Sequence, residues 1–182
     1  MHRFVLCLVV WLSCNAYGND AVWLGPDRSK WPDTEFRKTK DDFSGVLLVT
    51  PDLDWRQKWN TPPDTIPRFR EAKTVKVGER IVVLTFFVNP KTDDKRHVNV
   101  TCGIKVTRPN KTISVNERNI PCMRGSLIGD PSYIRLSPAV IEFVGENTDP
   151  LGRWLVEVDI EDANRKTTLR LQTQFTLIGS NG

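Results

Sequence analysis

From Phe43 onward the chain alternates apolar and polar residues with a period of two. Val98, Val100, Cys102, Ile104 and Val106 take one phase, and His97, Asn99, Thr101, Gly103 and Lys105 take the other. That spacing predicts a strand with one apolar face, and it places Cys102 inward. Trp154, Val156, Val158 and Ile160 alternate in the same way with Glu157 and Asp159. So do Leu169, Leu171, Phe175 and Leu177 with Arg170, Gln172 and Gln174. Both stretches read as half-buried strands of an antiparallel sheet. The run IVVLTFFV, Ile81 to Val88, is apolar on both faces and reads as a central strand. Shorter strands are expected over Val46 to Thr50, Ala72 to Val77, Thr112 to Val115 and Ala139 to Val144.

Turn chemistry separates these runs: Asn89-Pro90 with Asp93-Asp94, Pro109-Asn110, Gly145-Glu146-Asn147, and Asp162 to Asn164. No long amphipathic helix is required anywhere. About seven or eight short strands at this spacing predict an all-β chain, an immunoglobulin-like antiparallel β-sandwich with one disulfide. Antibody-type domains also carry a tryptophan between their two cysteines, and none lies between Cys102 and Cys122. The likeness expected is therefore one of architecture.

The N-terminus changes the picture of where the chain works. Met1 to Arg3 are a short basic start, Phe4 to Leu12 an apolar run, and Ala16-Tyr17-Gly18 supplies small residues before Asn19. Residues 1–18 read as a cleavable secretory signal. Leu12-Ser13-Cys14 also resembles the end of a bacterial lipobox, which would make Cys14 a lipidated N-terminus. The apolar run is shorter than the roughly 20 residues that cross a bilayer, and no later segment approaches that length. The expected location is the bacterial periplasm. Residues 19–42 are polar and broken by Pro26 and Pro32, so they read as an N-terminal arm before a sandwich domain spanning 43–182.

Removing the signal leaves Cys102 and Cys122 as the only cysteines and His97 as the only histidine. Two cysteines in an oxidising compartment suggest one disulfide. Net charge falls from +4 to +3 with the loss of Arg3, and basic residues are scattered among acidic ones. Nucleic acid is not an expected partner, because its footprint is a concentrated basic face.

Catalysis finds little to work with. Nucleophilic triads need a histidine oriented by a third group. His97 instead follows the charged tract KTDDKR at a hairpin mouth. Acid pairs occur at Asp52 and Asp54, Asp41 and Asp42, Asp93 and Asp94, and Glu157 and Asp159. Glycoside hydrolysis needs two carboxylates facing each other across about 5 to 9 Å, which neighbours in sequence do not establish. No enzyme activity, metal or cofactor is expected. Asn99-Val100-Thr101 and Asn110-Lys111-Thr112 fit the glycosylation rule, and both read as unused in a bacterial protein.

A binding role is more legible. WRQKWNTPPDTIPRF, Trp55 to Phe69, shows neither helical nor strand periodicity and concentrates aromatics and prolines. Pro62, Pro63 and Pro67 restrict the backbone and reduce the entropy lost on ordering. Trp59, Arg68 and Arg70 are candidate partner contacts with Asp64 in their polar rim, because aromatic and arginine anchors on rigid supports make hot spots. The competing reading is a plug for one open end of the sandwich, and Trp55, beside Leu53, fits that role. The hairpin Pro90 to Arg96, with Asp93 and Asp94, is a second candidate surface. The segment Asn116 to Pro131, containing Met123, Arg124 and Leu127, is a third.

Phe43 to Leu177 resembles a group of small bacterial periplasmic sandwich proteins, through an inward cysteine as in VNVTC and a closing pattern like DPLGRWLVEVDIED. That group includes immunity partners of type VI secretion phospholipase effectors. The resemblance implies a non-enzymatic protein that binds a secreted toxin effector. A carbohydrate-binding or envelope-assembly module is the alternative, with the opening tryptophans as a sugar platform. No functional residue is carried over from the resemblance, and no oligomeric state follows from it.

Overall fold

In a computed structural model, residues 31–61 and 67–180 are described. The elements are β1 (Arg37–Lys40), β2 (Phe43–Thr50), α1 (Trp55–Trp59), β3 (Thr74–Lys76), β4 (Arg80–Val88), β5 (His97–Thr107), β6 (Ile113–Ser126), β7 (Arg135–Leu136), β8 (Ile141–Val144), β9 (Gly152–Asp162) and β10 (Thr167–Ile178). They form two sheets. The first has the order β1-β2-β4-β7, with β8 also paired to β4; the second runs β3-β10-β9-β5-β6. The chain is an immunoglobulin-like β-sandwich with one disulfide.

Each strand expected from the alternation forms. The count among the described residues is higher than seven or eight because β1 and β7 are too short to show a period. β1 belongs to the segment read as an arm, so the sheet begins before Phe43. Asp41 and Asp42, with φ of 50° and 62°, turn β1 into β2 as a two-residue hairpin loop. All pairings are antiparallel except β3 with β10, which is parallel. The chain passes from the first sheet to the second at β3 and returns at β4.

The inward phases meet in one core. Phe43, Leu47, Ile81, Val83 and Phe87 face Val100, Ile104, Trp154, Val156, Ile160, Leu169, Leu171 and Phe175 across the sandwich. Trp154 is 1% exposed, as its strand phase predicts. Its ring lies 4.8 Å from that of Phe143 and stacks at 6.1 Å on Phe175, while its indole N–H donates to the Pro150 carbonyl at 3.2 Å. Gly45 on β2 permits the close approach of the sheets. A Cβ there would lie 3.0 to 3.2 Å from the methyl groups of Ile160, Leu171 and Leu169.

Cys102 and Cys122 form the predicted bridge, with Cα atoms 5.8 Å apart. It joins neighbouring strands of one sheet rather than the two sheets. Thr101 pairs with Pro121 and Val100 with Met123, so Cys122 is the extra residue of a bulge in β6. The bulge turns its side chain inward on an otherwise exposed edge strand. Ser137, fully buried, donates its hydroxyl to Cys122 Sγ at 3.0 Å.

Candidate functional site

The aromatic opening stretch is a cover. Val82, Leu84 and Phe86 point from β4 away from the main core, opposite in phase to Ile81, Val83 and Phe87. They would face water but for Trp55, which is buried on them, and for Trp59 and Phe69, which are partly buried against the same cluster. Trp59 and Phe69 stand 5.4 and 6.0 Å from the Phe86 ring. This explains why β4 is apolar on both faces. It also corrects the plug expectation, since Trp55, Trp59 and Phe69 lie on the outer face of the first sheet rather than in an open end. Nor is Trp55 to Phe69 wholly aperiodic loop: its first five residues form the short helix α1. A five-residue helix holds little more than one turn, too short to show a 3.6-residue period.

Asp52 fastens this cover. Its side chain has no exposed surface, and it accepts from the Arg70 backbone N–H at 3.0 Å, from Arg70 Nε at 2.6 Å and from Lys58 Nζ at 2.7 Å. Burial raises the Asp52 carboxyl. The Lys58 and Arg70 hydrogen bonds and the Arg70 charge outweigh that and hold it well below the usual carboxylate range. Arg70, expected as a partner contact, is therefore engaged inside the chain, although most of its surface stays exposed. Arg68 is exposed. Asp64 lies outside the described residues. With Trp55 buried and Trp59 half-buried, the pair offers no open platform for a sugar ring.

The remaining candidates gather at the other named surfaces. Asp93 organises its own turn, accepting from the backbone N–H groups of Lys95 and His97 at 2.9 and 2.8 Å. The His97 bond is the main reason its carboxyl is lowered. Asp94 is exposed at the tip. Arg124 stands exposed on β6, opposite Asn99.

Four connections meet at this end of the sandwich and brace one another: β1–β2, β4–β5, β6–β7 and β9–β10. Asp162, buried at the end of β9, accepts from the Lys91 N–H at 2.7 Å and from the N–H groups of Asn164 and Arg165 at 3.1 and 3.2 Å. The Asn164 amide donates to the carbonyls of Lys91 and His97. Arg165 donates to the Asn89 carbonyl, and the Asn89 amide donates to Asp42. Thr167 bonds Asp41 at 2.7 Å. These loops are tied to one another by an internal hydrogen-bond network.

Sequence reasoning missed what the β6–β7 connection displays. Ile128, Tyr133 and Ile134 are 87%, 62% and 49% exposed, while Leu127 beside them is buried. Arg135 locks the loop by donating to the carbonyls of Ile128, Asp130, Pro131 and Tyr133. The Asn89 N–H donates to Pro131, and the Leu127 N–H to Arg96. Gly129, at φ 78°, lets the Tyr133 ring pass close, since a Cβ there would be 3.0 Å from it. The available signal was the turn chemistry of Asp130-Pro131-Ser132 between apolar residues of no period. Of the side chains named within the segment Asn116 to Pro131, Leu127 is buried, Met123 half-buried and Arg124 exposed.

The outer face of the second sheet forms an open polar depression of about 710 Å³. Glu157, Asp159 and Glu161 line it from β9. Lys105 meets Glu157 at 2.9 Å and Arg170 meets Asp159 at 3.9 Å. Paired in this way, Glu157 and Asp159 belong to a charged, solvent-accessible face. Among the described residues no set of histidine, cysteine or acidic side chains is grouped to hold a metal. No helix there is long and apolar enough to cross a membrane.

No family model matches the chain, and no curated protein does. Solved structures similar to it include a family 123 glycoside hydrolase from Clostridium perfringens, at 8% identity and a TM-score of 0.41 over 75% of this chain. The chain spans only 28% of that enzyme. The CARDB domain of the PF1109 protein from Pyrococcus furiosus is similar at 8% identity and 0.40, covering 82% of this chain and 100% of that one. A Niemann-Pick type C2 protein from Japanese carpenter ant is similar at 10% identity and 0.34, over 80% and 96%.

Proposed function

We propose that this chain is an exported, non-enzymatic module that acts by stoichiometric association with another protein. The braced loop end carries the reading. Loops that are already ordered lose little entropy on docking, so contact area there converts into affinity more fully than on a mobile surface. Rigid scaffolds that present loops in this way are where sandwich folds commonly place recognition. The narrower proposal is an immunity protein that neutralises a lipase- or phospholipase-type secretion effector in the periplasm. The VNVTC and DPLGRWLVEVDIED resemblance, the signal-like N-terminus and a disulfide suited to an oxidising compartment support it.

Co-expression with a neighbouring toxin gene tests the reading. The full chain with its signal is expected to protect cells, and a version lacking residues 1–18 is expected to fail because the two molecules no longer meet. The purified chain should show no lipase or glycosidase activity of its own. Equal rescue from the cytoplasm, or a glycan as the sole ligand, would remove the immunity proposal.

A further inference from the structure

We infer that the apolar knuckle of Ile128, Tyr133 and Ile134 is the anchor of the binding surface, and that it seats in an apolar cleft of a protein partner whose rim carries both signs of charge. This rests on the protein-binding reading above and names the surface that performs it.

Single exposed apolar side chains are ordinary, but three within seven residues on one connection are not. Here they stand on a loop whose carbonyls are gathered by Arg135, whose flank is tied to Arg96 and Asn89, and whose tyrosine ring is seated over Gly129. Among the described residues nothing covers them: Leu127 already supplies the inward contact, leaving Ile128 87% exposed. An exposed apolar group on a loop held by these bonds fits an apolar site on a partner, and tyrosine is among the residues enriched at hot spots. Chemistry around the tip decides between a protein and a lipid surface. Arg96 donates to the Gly129 carbonyl at 3.5 Å, Arg135 donates to the Ile128 carbonyl, and the Asp130 carboxylate sits within the same loop, so the charges beside the tip are of both signs. An anionic membrane surface favours a run of cations without acids. An apolar centre within a polar rim of both signs is the anatomy of a protein interface.

The test places a photoreactive p-benzoylphenylalanine in the full exported chain, replacing Tyr133 in one version, Glu157 on the outer face of the second sheet in another and Arg68 beside the aromatic cover in a third. Irradiation in the native host is expected to give one dominant protein adduct from position 133 and none from the other two. The protein identified there is then purified and titrated with wild type and with Ile128→Asp, which is expected to weaken binding more than tenfold while melting stays unchanged. A protein adduct arising only from position 157 or 68, or wild-type affinity in Ile128→Asp, would overturn the knuckle and leave the protein-binding reading standing. A phospholipid adduct at 133 would overturn the knuckle's assignment to a protein. No adduct at any position would overturn both.

Discussion

Asp52 keeps its charge where no part of its side chain meets water, and it can do so because three donors from Lys58 and Arg70 reach it. Its folded carboxyl is lowered relative to the ordinary value near 3.9. Its contribution to stability is therefore fully present above that value and is lost as pH falls through the folded one. Urea midpoints measured from neutral pH downward should decline below about pH 5. Asp52→Asn should cost about 2 to 3 kcal/mol at neutral pH, since hydrogen bonds to a charged group are lost, and should flatten that decline. A variant with the wild-type acid profile would show that other carboxylates carry it. Trp154 was readable as core from strand phase alone, and Trp154→Ala should destabilise by about 3 to 5 kcal/mol. Glu157→Ala, on the opposite phase and paired with exposed Lys105, should cost less than about 1 kcal/mol. Equal melting of the two would contradict the register of β9. Asp52 was visible only as one member of an acid pair, because its partners Lys58 and Arg70 reach it through a cover that no periodicity describes.

Elements were legible in proportion to how cleanly they separate two environments. β5, β9 and β10 each divide core from solvent, so their alternation is plain in the sequence. β4 divides one apolar layer from another, and its continuous run signalled burial on both faces without saying what lay beyond. β6 shows the opposite limit. It is an edge strand with mostly exposed residues and three interruptions of register, so only its first residues carried a strand signal and the rest read as loop. The knuckle after it has no period at all, since its shape is set by one guanidinium. Arg135→Lys keeps the charge but cannot span the carbonyls of Ile128, Asp130, Pro131 and Tyr133 together. Amide exchange over 127–134 should quicken at least tenfold in that variant, equivalent to about 1.4 kcal/mol of lost local protection. Exchange in β9 should not change, and uniform acceleration across both sheets would mean that Arg135 supports the whole fold rather than the loop.

At the scale of the molecule the disulfide joins these features. A bridge between sheets would hold the sandwich closed, but Cys102 and Cys122 lie on adjacent strands, so this one secures the edge strand from which the knuckle hangs. With a separation of 20 residues, the chain-entropy model gives about 3 kcal/mol for closing the loop. For a domain of this size that corresponds to a fall in Tm on the order of 10 °C on reduction. The loss should be uneven. The core between the sheets is built from Trp154, Phe175, Ile160 and many neighbours on both sheets, of which Cys102 and Cys122 are two at the β6 side. The β6 edge is held by a ladder broken at three points and by the partly buried Val115, Ile120 and Met123, fewer core contacts than the central strands make. Exchange after mild reduction should therefore rise first in residues 113–126 and in the attached loop, while β9 and β10 stay protected below the new midpoint. If binding runs through the knuckle, affinity for the partner should fall in the same range of reductant, before the tryptophan fluorescence reports global unfolding. Simultaneous loss of all protection would place the disulfide in the cooperative core, and unchanged affinity after reduction would separate the binding surface from β6.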